Sequence, residues 1–239
     1  LTRMLWECVR GLPQLRHTPE SFSLEPAQRV HSDDHSALAA AFARCTALLG
    51  ASEVTLYVQP DAAAALEVWP AHPPCIVARS DFSASPVQIF QLAECLTLAE
   101  PEHAVAAVML ESEARELLAA MLAAFGPPGS ARELDRAGKD LASQLWHAVP
   151  VRVQAQLREL VRTKLPHLVY EELRVAALAS ALRAGLLATH DVRAALQSVA
   201  MREDLEIRDA ESFEAAYQRS PALREVIRAA FSDGYLAQL

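Results

Sequence analysis

Ser85-Pro86-Val87-Gln88-Ile89-Phe90-Gln91-Leu92-Ala93-Glu94-Cys95-Leu96-Thr97-Leu98-Ala99-Glu100-Pro101-Glu102-His103 is the stretch on which the reading of the fold turns. Ser85 is a good N-cap, Pro86 suits the first helical position, and Gln88 stands where a capping box places its reciprocal side chain. Ile89, Leu92, Ala93, Leu96 and Ala99 recur at helical spacing and make one apolar face. Phe90, Cys95 and Leu98 add apolar groups on the remaining sides. A helix apolar nearly all round is buried between layers, so this one is expected at the centre of the molecule. Pro101 limits its end.

Upstream, Val54-Thr55-Leu56-Tyr57-Val58 is β-branched and alternating, which predicts a strand. Leu66–Trp69 and Cys75–Arg79 are two further short strands, bounded by Pro60, Pro70, Pro73 and Pro74. An alanine-rich helix over 35–50 precedes them, with Gly50 as its C-terminal glycine. Residues 1–16 read as a helix with Met4, Leu5, Cys8, Val9 and Leu12 on one side. Downstream, residues 102–125 predict one long amphipathic helix, followed by the breaker Gly126-Pro127-Pro128-Gly129-Ser130. Helices are expected over 131–147, 151–164, 168–188 and about 191–201. A charged loop over 203–212 precedes a last helix, capped by Ser220 and Pro221, running towards Leu236. The fold class is α+β, predominantly helical: a small three-stranded sheet packed on a helical bundle.

The order of these elements resembles the zinc metallopeptidases of the CAAX-prenyl-protease and heat-shock-protease-X type. In that family a strand carrying Val-Tyr-Val leads through a turn, a small-residue segment (here Asp61-Ala62-Ala63-Ala64-Ala65) and a second strand to the zinc helix. That helix bears His-Glu-x-x-His, whose two imidazoles at i and i+4 grip zinc and whose Glu is the general base. The five positions here read Glu94-Cys95-Leu96-Thr97-Leu98. A later family helix carries Glu-x-x-Ala-Asp-Arg-x-Gly, whose Glu is the third ligand. Here the run is Leu178-Ala179-Ser180-Ala181-Leu182-Arg183-Ala184-Gly185, which keeps Ala181, Arg183 and Gly185 but puts Leu178 at the ligand position and Leu182 at the Asp position. The resemblance covers about residues 50–200. It implies a zincin-like core, with Glu94, Cys95, Leu98, Leu178 and Leu182 at vestigial site positions, and it departs from the family at every catalytic position.

A zinc-hydrolase centre needs three protein ligands and an open water position. Leucine ligates nothing and Cys95 cannot replace the carboxylate base, so no metal, no cofactor and no catalysis are expected. Glu94, among apolar neighbours, is read either as a half-exposed carboxylate or as a buried one paired with an arginine, Arg183 being the candidate. The expected function is a non-catalytic protein-interaction or scaffold module on a pseudo-metallopeptidase fold, within a larger bacterial protein. Two alternatives are a sensor binding a peptide or apolar small molecule in a cleft lined by Leu98 and Leu178, and a hydrolase with a relocated active site.

Composition sets the remaining bounds. With 239 residues, 52% hydrophobic and 22% charged, the chain can bury a sizeable core. Three segments are expected: an N-terminal helical segment 1–50, a metallopeptidase-like domain 51–202 and a C-terminal helical extension 203–239. The net charge of −8 and the scattered arginines give no electrostatic footprint for nucleic acid. A protein partner is expected instead. No apolar run reaches transmembrane length, so no membrane insertion is expected. Cys8, Cys45, Cys75 and Cys95 form no C-x-x-C pair and read as buried thiols in a reducing, cytoplasmic setting. The chain starts at Leu1, already periodic, and is read as a processed or excised piece of something longer. His31-Ser32-Asp33-Asp34-His35 is the most metal-like cluster, but Ser32 or Asp33 capping the next helix accounts for it.

Overall fold

A computed structural model of the protein describes residues 2–9, 12, 17–25, 28–31, 34–51, 54–130, 134–164 and 169–237. Among them the chain is predominantly helical with one small mixed sheet. The elements are α1 (Thr2–Val9), α2 (Ala37–Leu49), β1 (Thr55–Val58), β2 (Leu66–Trp69), β3 (Cys75–Ala78), α3 (Pro86–Ala99), α4 (Pro101–Ala107), α5 (Glu111–Phe125), α6 (Arg136–Ala148), α7 (Val151–Lys164), α8 (Tyr170–Thr189), α9 (Val192–Arg202), α10 (Ala210–Arg219), α11 (Pro221–Ala230) and α12 (Asp233–Leu236). None of these helices is long and apolar enough to cross a membrane.

The sheet has the order β1-β3-β2, with β3 parallel to β1 and antiparallel to β2. All four residues of β3 are buried, as a central strand covered on both faces requires. Side chains alternate across it. Leu56, Ile76 and Ala78 pack with α2 and α3, while Tyr57, Cys75 and Val77 pack under Leu24, Ala62 and Ala71.

α3 begins where its cap places it: the Ser85 hydroxyl accepts from the Gln88 N–H. Phe90, Leu92, Ala93 and Leu96 are fully buried, and the helix lies between the sheet and α8. Gly185 of α8 meets the Phe90 ring, and the Tyr170 hydroxyl at the start of α8 donates to the Ala106 carbonyl in α4. α8 therefore runs antiparallel to α3. Its Ala177, Ala181, Ala184 and Gly185 are small and buried, which lets the two backbones approach closely.

Two further cores flank this pair. α1, α4, α5, α6 and α7 share one, with Leu5, Leu117, Met121, Leu145 and Leu157 at its centre. Phe90, Leu182 and Leu186 share the other with α9, α10, α11 and Tyr235. Thus α1 packs on elements beyond residue 100, and α11 packs on α8 and α9.

Several expected boundaries move. The helix expected over 102–125 is two helices, α4 and α5, broken at Val108–Leu110 because α4 packs on α1 and α8 whereas α5 packs on α6 and α7. The N-cap of α2 is Ser36, accepting from Ala39 N–H, not Ser32 or Asp33, which lie outside the described residues. Residues 210–219, partly read as loop, form α10 because Asp209 and Ser212 make a reciprocal capping box. The last helix stops at Ala230, and Ser232 caps a separate turn, α12.

Candidate functional site

Glu94 lies two turns inside α3, four residues after Phe90 and on the same side of the helix. It is 5% exposed, and among the described residues Glu94 and Glu225 are the buried charged ones. Its Oε1 accepts from the Arg202 guanidinium at 2.8 Å. Arg202 ends α9, where a cation also meets the helix's partial negative charge. Burial pushes the Glu94 carboxyl above its usual range, and the charge and hydrogen bond of Arg202 pull against that shift without cancelling it.

The expected partner, Arg183, is engaged elsewhere. Its Nε donates to Glu225 Oε1 at 2.8 Å, and its Nη2 lies 2.6 Å from the same oxygen. The helical wheel gives the reason. Leu182 faces Phe90 and α9, so Arg183, one step further round, faces α11. Arg228 Nη2 pairs with the other Glu225 oxygen at 2.7 Å, which leaves this buried carboxylate between two arginines.

Cys95 is buried next to Glu94. Burial first, then the Glu94 charge, push its thiol up, far from the thiolate a nucleophile needs. Leu98 is half-buried one turn on from Glu94. The antiparallel course of α8 brings Leu182 against the Phe90 side of α3. Leu182 is buried, but Leu178 is 37% exposed. The vestigial positions thus divide between cores, Cys95 with the sheet and α2 and Leu182 with Phe90 and α9, and the room is elsewhere. A groove of about 510 Å³ opens on a different side of α8, between α8, α11, α12 and the end of α2, and neither Leu98 nor Leu178 lines it.

Among the described residues no group of three or more His, Cys, Asp and Glu side chains is placed to hold a metal ion. In the histidine-rich connector His31, Asp34 and His35 are exposed, and the Asp34 carboxylate accepts from the His31 backbone N–H at 2.8 Å. His103 is half-buried, His147 is exposed, and His167 lies outside the described residues. Trp146 stacks on Phe125, and Trp69 packs against Phe22.

Sequence reasoning missed the Arg183–Glu225–Arg228 clasp. Its one legible signal was Glu225 within Leu223-Arg224-Glu225-Val226, where Leu223, Val226 and Ala230 mark the buried side of α11. Compared with protein-family models, with curated proteins and with solved structures, the chain finds no match.

Proposed function

We propose that this chain is a non-catalytic protein-interaction or scaffold module, cytoplasmic, built on a degenerate metallopeptidase-like core. The observation that carries the reading is the Glu94–Arg202 pair at 2.8 Å. It stands on the helix that resembles the family's zinc helix, and it commits the one candidate oxygen ligand there to a structural role. A carboxylate held by a guanidinium is a poor ligand, because metal binding would strand the arginine's charge beside a cation. Leu98 and Leu178 supply no donor, and the raised Cys95 thiol supplies no thiolate at neutral pH.

A protein partner is supported by the exposed apolar residues of α8. Val175 and Leu178, three apart, are 64% and 37% exposed and stand on neighbouring parts of one helix surface. The test is metal content. Protein incubated with zinc and then dialysed is expected to retain no stoichiometric metal and to cleave no member of a peptide library. One zinc per chain, lost in Glu94→Gln, would overturn the proposal.

A further inference from the structure

We infer that the groove between α8, α11 and α12 is a binding site for a small amphipathic carboxylate, an apolar tail ending in an anionic head. The inference is independent of the role assigned to Glu94 and adds a ligand to the interaction module. Three observations carry it.

The first is volume. About 510 Å³ lies in the range of small-molecule sites, which bury most of a ligand's surface in a largely apolar wall. The second is the distribution of chemistry around the wall. Leu49, Leu186, Leu187, Ala184 and Ala229 give apolar surface, while the charged lining groups are tied into one cluster by contacts of 2.6–2.8 Å. The site therefore has a greasy body and a single charged corner.

The third is the sign of that corner. Arg183 and Arg228 share the one carboxylate of Glu225, so the three charged residues lining the groove sum to +1. The chain as a whole carries −8 and the exposed Asp233 stands at the α12 end of the groove, so the positive excess belongs to the Arg183–Arg228 corner and is not the general character of this protein. Both arginine side chains are more than half exposed, at 59% and 72%, which leaves guanidinium N–H donors facing solvent for a second carboxylate. A guanidinium offers five donors in a planar fork, and Glu225 accepts one hydrogen bond from Arg183 and pairs with Arg228 at 2.7 Å. A carboxylate head matches that fork, and its tail would remove the apolar wall from water.

The experiment is isothermal titration calorimetry at neutral pH with decanoate, decanol and decyltrimethylammonium, each below its micelle-forming concentration. Decanoate is expected to bind one per chain, decanol about tenfold more weakly, and the cationic surfactant without saturation. Arg228→Ala removes an exposed side chain and is expected to weaken decanoate about tenfold while leaving decanol unchanged. Leu187→Trp fills the groove and is expected to abolish binding of both. Each variant's urea midpoint is compared with the parent's, so that misfolding is not mistaken for lost binding. Failure of decanoate to bind the parent chain, equal affinity for decanoate and decanol, or decanoate binding untouched by Arg228→Ala would each overturn the inference. So would retention of decanoate by a folded Leu187→Trp protein.

Discussion

Gly185 lies against the ring of Phe90 so closely that a Cβ at position 185 would stand 2.6 Å from two ring carbons. Phe90 is fully buried, so its ring can retreat only by displacing core neighbours. Gly185→Ala would gain about 1 kcal/mol in helix propensity, but overpacking a core contact costs about 1–3 kcal/mol, and two contacts at 2.6 Å put this one in the upper part of that range, about 2–3 kcal/mol. The variant is expected to be less stable by about 1–2 kcal/mol, read as a lower urea midpoint at unchanged slope. Phe90→Leu in the same chain should recover part of the loss, since it removes the atoms that clash. A Gly185→Ala protein as stable as the parent would mean that α3 and α8 are not held at this distance.

Glu94 and Arg202 give a pH-dependent prediction. The folded-state pKa of Glu94 is raised, with burial outweighing Arg202. A raised carboxyl pKa favours the folded state fully below the unfolded value of about 4.3, and that advantage is lost as pH rises through the folded pKa. Arg202→Met removes the group that opposes the shift, so the carboxyl rises further. The substitution is expected to cost little near pH 4.5 and about 2 kcal/mol near pH 7.5, less than a fully buried pair because Arg202 is 42% exposed. Adding Glu94→Gln should remove most of that pH dependence. Urea titrations of the three proteins at both pH values decide it; an equal loss at both pH values would count against the pairing.

How far these relationships could be read beforehand depends on how local their causes are. Ser85, Pro86 and Gln88 announce the start of α3, and Gly50 the end of α2, because a cap involves groups three or four residues apart. The prolines flanking Leu66–Trp69 and Cys75–Ala78 mark the short strands for the same reason. The break between α4 and α5 carries no such mark: it follows from which neighbours each half packs on. The partner of Glu94 was illegible for the same kind of reason. Arg183 and Arg202 are equally good cations in sequence, and the choice between them is made by the rotation of α8 and the position of the end of α9, 108 residues from Glu94.

The cysteines should be chemically quiet in the folded protein. Burial pushes the thiol of Cys75 up to about 12 and that of Cys8 to about 11, and raises those of Cys45 and Cys95. Cys45, Cys75 and Cys95 are buried, whereas Cys8 is partly accessible. Native protein at pH 8 is expected to react with Ellman's reagent slowly and first at Cys8, and to show all four thiols only after unfolding in guanidinium chloride. Rapid labelling of Cys95 in the native state would contradict its burial and reopen a role for it as a nucleophile.

Tyr235 supplies a test in which removing a polar atom should do no harm. Its ring is 8% exposed, stacks near His190 and forms part of the groove wall. Its hydroxyl is buried and finds no hydrogen-bond partner among the described residues. Burial, and then the nearby charge of Asp191, raise the phenol's pKa, so the group is a neutral hydroxyl across the physiological range. An unsatisfied buried hydroxyl costs free energy, and here no second group would be orphaned by deleting it. Tyr235→Phe keeps the ring and its packing and is expected to leave stability unchanged or to raise it by up to about 1 kcal/mol. The measurement is the urea midpoint of the variant against the parent at pH 7. A loss greater than about 1 kcal/mol would mean that the hydroxyl is bonded in solution, through an ordered water or a displaced side chain, and that α12 is held to α8 by more than its apolar contacts.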